Sequence, residues 1–344
     1  MTADPVWIQE AEVCEQVDLA DAIDVVRGAL RSAGAAGNWT MEKTHASWGG
    51  GHTLHALGGG LGESAVVGTK TWAHTAGGAT PLLLLWDSES GALRAVIEAF
   101  ALGQLRTAAV TGVGTDALAP PETGVVAVLG SGRQALPQLA AVAAVRPLSE
   151  IRVWSPARES REGFAEQARE LDVGAVAVVD SVGEATDGAD IVTTVTRARE
   201  PFLDAEHVRD GAHLNAIGAI TPERRELAAG LVARCEPIVA DSPAAARRLT
   251  TELAEIAELH ALADVLAAPS QPARGAGPSL LKVMGIGLAD VALGQAVLDR
   301  VLRAGAGRPI PKPRRVAPRL VPGRPPATSA GDGSVSPQDR LGPG

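Results

Sequence analysis

Apolar and polar positions change their period several times along this chain of 344 residues. Val17, Leu19, Ile23, Val26 and Leu30 recur at near-helical spacing and predict a helical region across residues 5–36. From about residue 53 the pattern becomes strand-like. Residues 53–57 and 65–72 are short and β-prone, and 81–86 and 92–97 flank Asp87-Ser88-Glu89-Ser90-Gly91, whose turn formers predict a hairpin. The first part of the chain therefore reads as a mixed, largely antiparallel α+β unit. Residues 102–119 read as an Ala-rich helix that Pro120-Pro121 cannot continue, and this proline pair marks a boundary.

Beyond it the pattern becomes regular. Predominantly apolar runs occur at 125–129, 151–154, 175–179, 190–195, 213–217 and 237–240. Helical segments at 134–145, 159–171 and 222–232 lie among them. Strands without alternation, joined by crossovers, predict a doubly wound parallel sheet covered on both faces, an α/β Rossmann-type domain. A glycine-punctuated helix is expected over 280–302. From Gly305 onward Pro, Gly and Arg dominate, and the tail is expected to be disordered.

The first of the apolar runs leads directly into Gly130-Ser131-Gly132-Arg133-Gln134-Ala135. This is the strand–turn–helix setting of a dinucleotide fingerprint. Gly130 permits the tight turn, Gly132 lets the backbone approach a pyrophosphate, and Ala135 allows close packing of helix on strand. The helix N-terminus offers unpaired N–H groups to the phosphates. The end of the next strand bears on the choice of cofactor. An NAD(H) site usually has Asp or Glu there for the ribose hydroxyls, but Trp154 is followed by Ser155-Pro156-Ala157-Arg158, with no acid before Glu159. Ser155 and Arg158 offer a hydroxyl and a cation to a 2′-phosphate, which favours NADP(H) over NAD(H).

Composition narrows the function classes. The chain is 46% hydrophobic with no Tyr, so Ala, Val, Leu and Gly must build the core. A net charge of -9 argues against nucleic acid as a partner. No apolar stretch approaches the length of a membrane span, no leader pattern opens the chain, and the expectation is a cytoplasmic protein. Cys14 and Cys235 are far apart, suit a reducing compartment, and are expected to be buried spectators. His45, His52, His74, His207, His213 and His260 lack metal-ligand spacing, so no metal is expected. Trp39, Trp48, Trp72 and Trp86 are expected to pack in the core or at a dimer contact, with one of them lining a pocket as the sharper option.

Several motifs, in order, resemble the ornithine cyclodeaminase/μ-crystallin family. They are Gly68-Thr69-Lys70, Leu105-Arg106-Thr107-Ala108-Ala109, the glycine loop, Ala189-Asp190-Ile191-Val192-Thr193-Thr194, and Gly211-Ala212-His213-Leu214-Asn215-Ala216-Ile217-Gly218-Ala219. Pro222…Arg225-Glu226-Leu227 and Leu281-Lys282-Val283-Met284-Gly285…Asp290 complete the set. The resemblance implies a homodimer. It also implies a substrate and dimerisation domain built from residues 1–119 with 283–304, a cofactor domain at 120–282, and the tail at 305–344. It places the lysine that holds the substrate carboxylate and borders the reacting carbon at Lys70, and a carboxylate-gripping arginine at Arg106. Thr107 beside Arg106 reaches the cofactor. Lys43 falls where an arginine clamp is common, a change that loses the planar fork. Thr194, Val195, Thr196, Ile217 and Gly218 are implied to line the cofactor, and His55 to face the pocket as a polar contact or as a neutral strand residue.

Ile220 is the informative departure. Cyclodeaminases and related alanine dehydrogenases resemble one another in an Asp at this position, which handles protons on amine or water. Isoleucine does neither. Reducing a ready-made imine needs only a hydride and a proton from Lys70 or water, so the resemblance points to an NADPH-dependent reductase of a small α-imino acid. The alternatives are a cyclodeaminase of ornithine or lysine, an amino-acid dehydrogenase, and a non-catalytic NADP-dependent binding protein.

Overall fold

Among the described residues of the computed structural model (4–34, 37–268, 275–313, 318 and 320), the strands form two sheets. The first contains β1 (Val6–Ile8), β2 (Trp39–Thr40), β3 (Thr44–Trp48), β4 (His52–Leu61), β5 (Val66–Thr75), β6 (Gly78–Ala79), β7 (Leu82–Asp87) and β8 (Leu93–Glu98). Its strands pair antiparallel except for β1 beside β8. The predicted hairpin joins β7 and β8, with Asp87 Oδ1 accepting from the Ser90 amide at 2.8 Å. Helices α1 (Glu10–Gln16) and α2 (Leu19–Arg31) lie between β1 and β2 in the chain. The N-cap of α2 is Asp18, which exchanges hydrogen bonds with Asp21. Its buried stripe, Ala22, Ile23, Val26, Ala29 and Leu30, carries the periodicity read from sequence.

Helix α3 (Phe100–Leu118) is buried on nearly every side, which explains a composition of Ala, Val, Gly and Thr without an amphipathic stripe. It packs against both α2 and the second sheet. That sheet has eight parallel strands: β9 (Val125–Leu129), β10 (Glu150–Trp154), β11 (Ala175–Val178), β12 (Ile191–Thr194), β13 (His213–Ala216), β14 (Ile238–Ala240), β15 (His260–Ala261) and β16 (Ser279–Lys282). They are ordered β11-β10-β9-β12-β13-β16-β14-β15. Strand order reverses between β9 and β12, and in open α/β sheets the ligand crevice lies outside the carboxyl ends at such a point. Helices α4 (Ala135–Ala143), α5 (Arg158–Glu170), α6 (Val182–Thr186), α7 (Ala229–Arg234), α8 (Pro243–Leu249) and α9 (Leu262–Ala267) belong to this part of the chain.

Several sequence expectations are corrected, the first being that residues 6–8, inside the helical region expected over 5–36, form β1. The helix expected over 280–302 is two elements: Ser279–Lys282 is a fully buried strand, and α10 (Gly287–Arg303) begins only after Gly285 has turned the chain. The helix expected over 222–232 is confined to α7, because the amides of Glu226 and Leu227 are held by Glu252 Oε1 instead of a helical ladder. Cys14 is exposed, whereas Cys235 is buried. In the tail, β17 (Arg308–Pro309) adds an antiparallel edge to β1, and residues 314–317, 319 and 321–344 lie outside those described.

Helix α10 returns to the first sheet and crosses β4, β5 and β7. Glycine makes the approach possible: a Cβ on Gly287 would lie 2.0 Å from the Gly58 carbonyl oxygen, and one on Gly59 would lie 3.0 Å from the Leu288 backbone. No described helix is long and apolar enough to cross a membrane.

Candidate active site

At the end of β9, Gly130 adopts φ +123°, and a Cβ there would lie 2.8 Å from the Val195 carbonyl oxygen. A Cβ on Gly132 would meet nothing within 4 Å, so the loop backbone is open on the side from which a phosphate arrives. Ala135, fully buried, starts α4 against the sheet. The residues present therefore fit a dinucleotide, with the loop amides and the α4 N-terminus to hold its pyrophosphate. Ser131 Oγ donates to Ser155 Oγ at 3.0 Å, which ties the glycine loop to the end of β10. Arg158 is on the surface, paired with Glu162 at 2.8 Å, and away from the cavity described below.

Across the crevice, the ends of β12 and β13 are held by one buried carboxylate. Glu226 accepts from Thr194 Oγ1 at 3.0 Å, from the Thr196 amide and hydroxyl at 2.6 and 2.8 Å, and from the Gly218 and Ala219 amides at 2.9 and 3.1 Å. Burial raises the Glu226 carboxyl above its ordinary range, while Lys282 and the Thr196 donors oppose that rise. Lys282 pairs with Glu252 at 2.6 Å, both side chains fully buried. Thr194, Val195, Thr196, Ile217 and Gly218 thus form one supported edge beside the glycine loop.

Between the two sheets a cavity of about 320 Å³ is lined by residues from both. Lys43, Lys70, Arg106, Thr107, Arg133, Gln134 and Ile217 all reach its wall. Lys70 (β5) donates from Nζ to Asp290 Oδ1 at 2.5 Å, and Arg106 (α3) donates from Nε to the same oxygen at 3.1 Å. Asp290 lies in the first turn of α10, has no exposure, and its Oδ2 has no partner among the described residues. Burial works to raise its carboxyl, but Arg106 and Lys70 outweigh burial and hold it below the usual range.

The three cations differ. Burial brings the Lys70 ammonium down to about 8 against the pull of Asp290. Lys43 is also brought to about 8, by burial and then by Arg106, and its Nζ has no hydrogen-bond or ion-pair partner among the described residues. Arg106 uses only Nε on Asp290, leaving both terminal nitrogens without a partner among the described residues. Among the described residues no Asp or Glu lines the cavity, and Ile220 does. The carboxylates behind the wall are Asp290 and Asp241; the latter accepts from the Met284 and Gly285 amides at 2.7 and 2.8 Å, and burial raises its carboxyl.

His55 does not line the cavity. It stacks between His45 and Trp72, at 5.8 and 4.8 Å between ring centroids, and bonds Thr53 Oγ1 at 2.8 Å. Burial, then Lys43, brings its imidazole to about 4, so it is a neutral ring. Trp72 reaches the wall instead, its ring centre 5.6 Å from Lys70 Nζ, while Trp39 and Trp48 are about half exposed. Asp290, Asp241 and the clamp made by Glu226 were not singled out from sequence. Asp290 and Glu226 stand inside the motifs quoted above, but only the packing reveals what they bind. No described group of three or more His, Cys, Asp or Glu could hold a metal ion.

The family profile described as "Ornithine cyclodeaminase/mu-crystallin family" matches residues 5–305. The ketimine reductase mu-crystallin of Mus musculus is 34% identical over 217 residues, 63% of this chain and 68% of that protein. The iminosuccinate reductase of Paracoccus denitrificans is 30% identical over 246 residues, 66% of this chain and 72% of that protein. Among solved structures, the Thermococcus litoralis Delta(1)-pyrroline-2-carboxylate reductase in complex with NADH and L-proline has a TM-score of 0.83 at 23% identity, covering 89% of this chain and all of that one. The chain belongs to the ornithine cyclodeaminase/mu-crystallin family.

Proposed function

We propose that this chain is an NADPH-dependent reductase that converts a small α-imino carboxylate to the amino acid. The observation that carries the reading is a cavity facing the dinucleotide crevice that presents three buried cations and Ile220, with no acid on its wall among the described residues. A carboxylate suits Lys43 and the free edge of Arg106, which can take two oxygens side by side. A bound nicotinamide dinucleotide supplies the hydride to the imine carbon. As the C=N electron pair moves onto nitrogen, Lys70 Nζ gives that nitrogen its proton and regains one from water. Trp72 and Ile220 keep the cavity apolar around these charges, which strengthens each electrostatic contact.

The preference for reduction follows from what Ile220 lacks. Deaminating a primary amine needs a base for its proton, and the carboxylates nearest the cations are committed: Asp290 to Lys70 and Arg106, Asp241 to two backbone amides. The named activities of the relatives, ketimine and iminosuccinate reduction, point the same way. For the cofactor, Ser155 and Arg158 at the end of β10 are the reason to expect NADPH. A homodimer is proposed from the family resemblance, and from β3, exposed along its whole length.

The test is NADPH oxidation over a panel of cyclic ketimines and of keto acids with amines. Turnover with ketimines and none with ornithine or lysine is expected. Ammonia release from ornithine would assign the deaminase reading, and binding without turnover the non-catalytic one. Arg158→Ala should raise the KM for NADPH about tenfold or more and leave NADH unchanged. Equal use of both cofactors by the parent protein would remove the NADP(H) assignment.

A further inference from the structure

We propose that Asp290 is a positioning residue for this reduction: its buried carboxylate keeps the Lys70 side chain an ammonium, and it turns Arg106 so that its terminal nitrogens face the substrate carboxylate. The inference deepens the functional reading above and rests on it. Three elements distant in the chain converge on one oxygen atom. Lys70 comes from β5, Arg106 from α3 and Asp290 from α10, and Oδ1 of Asp290 takes both donors at 2.5 and 3.1 Å. All three side chains are buried, so solvent does little to spread their charges.

The groups acting on Lys70 make the assignment directional. Burial, Arg106 on α3 and Lys43 ahead of β3 all favour its neutral amine, and Asp290 opposes them through its charge and its hydrogen bond. The other nearby carboxylate, Asp241 at the end of β14, is fixed on the Met284 and Gly285 amides. Trp72 presents only its ring, and the stacked His55 is neutral. Removing the charge of Asp290 thus leaves Lys70 among cations with no counter-ion. Asp290 does not line the cavity, so its action on substrate passes through Lys70 and Arg106.

The experiment compares pH profiles of the parent protein, Asp290→Asn, Lys70→Arg and the double variant, each as NADPH-loaded enzyme for kcat/KM. The same set is titrated, with oxidised cofactor bound, with furan-2-carboxylate, a flat acid that has no titrating nitrogen. Asp290→Asn should move the alkaline limb of both profiles to lower pH by at least about one unit, a tenfold loss at a fixed pH above the limb. With Lys70→Arg, which stays charged, that displacement should vanish. A uniform loss with the limb unmoved would overturn the proposal and leave Asp290 a structural residue only. A displacement that persists with Lys70→Arg would overturn it in favour of Lys43.

Should Asp290→Asn fail to fold, Asp290→Glu keeps the charge and shifts it by one methylene. The limb should then stay in place while the KM for imine rises, and an unchanged KM would overturn the proposal. Furan-2-carboxylate binding requires no turnover. An inactive parent protein would therefore retire the reductase reading, while the binding profiles still decide the role of Asp290.

Discussion

Lys43 and Lys70 line the same cavity and are both brought to about 8, yet among the described residues only Lys70 of the two has an ion-pair partner. Opposite consequences follow for the two. Lys43→Met removes a buried cation without an ion-pair partner among the described residues, so stability should rise by about 1 kcal/mol while the KM for the imino acid rises about tenfold or more. Lys70→Met should cut kcat/KM at least about 100-fold through loss of the proton donor, which steady-state kinetics would register. Both groups have folded values below the ordinary 10.5, so the unfolded chain binds more protons between about 8 and that value. Stability therefore rises with pH across this window. Urea unfolding at about pH 8 and about pH 10 should show the rise, and Lys43→Met should flatten it. Lys70 and Arg106 were singled out because each stands in a short motif, and both line the cavity. Asp290 also stands in a quoted motif but was given no role, because its partner Lys70 lies 220 residues away.

At the scale of elements, the strands and helices with strong periodicity were read closely. Val125–Leu129 was read to the residue, and the buried stripe of α2 was foreseen. The two misread helices fail for different reasons: Glu252 takes the amides that a helix over 222–232 would need, and the start of the helix expected over 280–302 is a buried strand. Residues 280–282 are an apolar run too short to display a period, and a fully buried parallel strand cannot be told from the start of a buried helix by composition. Gly58 and Gly59 of β4 carried no assigned role in the sequence reading. Packing gives them a purpose, since they admit the backbone of α10. Gly287→Ala should push the start of α10, with Asp290, away from β5. The expected result is a loss of about 1–3 kcal/mol, seen as a lower melting temperature, together with weaker carboxylate binding. Unchanged binding in the folded variant would show that α10 tolerates displacement.

For the whole molecule, the alternation of apolar runs after Pro121 made the parallel sheet and its glycine loop legible, and the order of strands about β9 has the expected form. What sequence could not give was the cavity between the sheets, because its walls come from residues spread from Lys43 to Gly285. Light scattering should return about twice the 35.1 kDa chain mass. The exposed Trp48 and Leu54 are on β3 and β4, and Leu54→Glu should shift the protein toward monomer if this face joins the copies.

Helix α10 has one more consequence, for biosynthesis. A nascent chain emerges from the ribosome with β4 and β5 already made, but the helix that covers their glycines and pairs with Lys70 is translated some 220 residues later. The parallel strands can associate in the meantime through short crossovers, whereas the earliest-made sheet must wait with a groove uncovered. Ribosomes stalled before residue 287 should accordingly hold a protease-resistant middle flanked by a cleavable beginning, and a protected beginning at that stage would show that the first sheet settles without its helix.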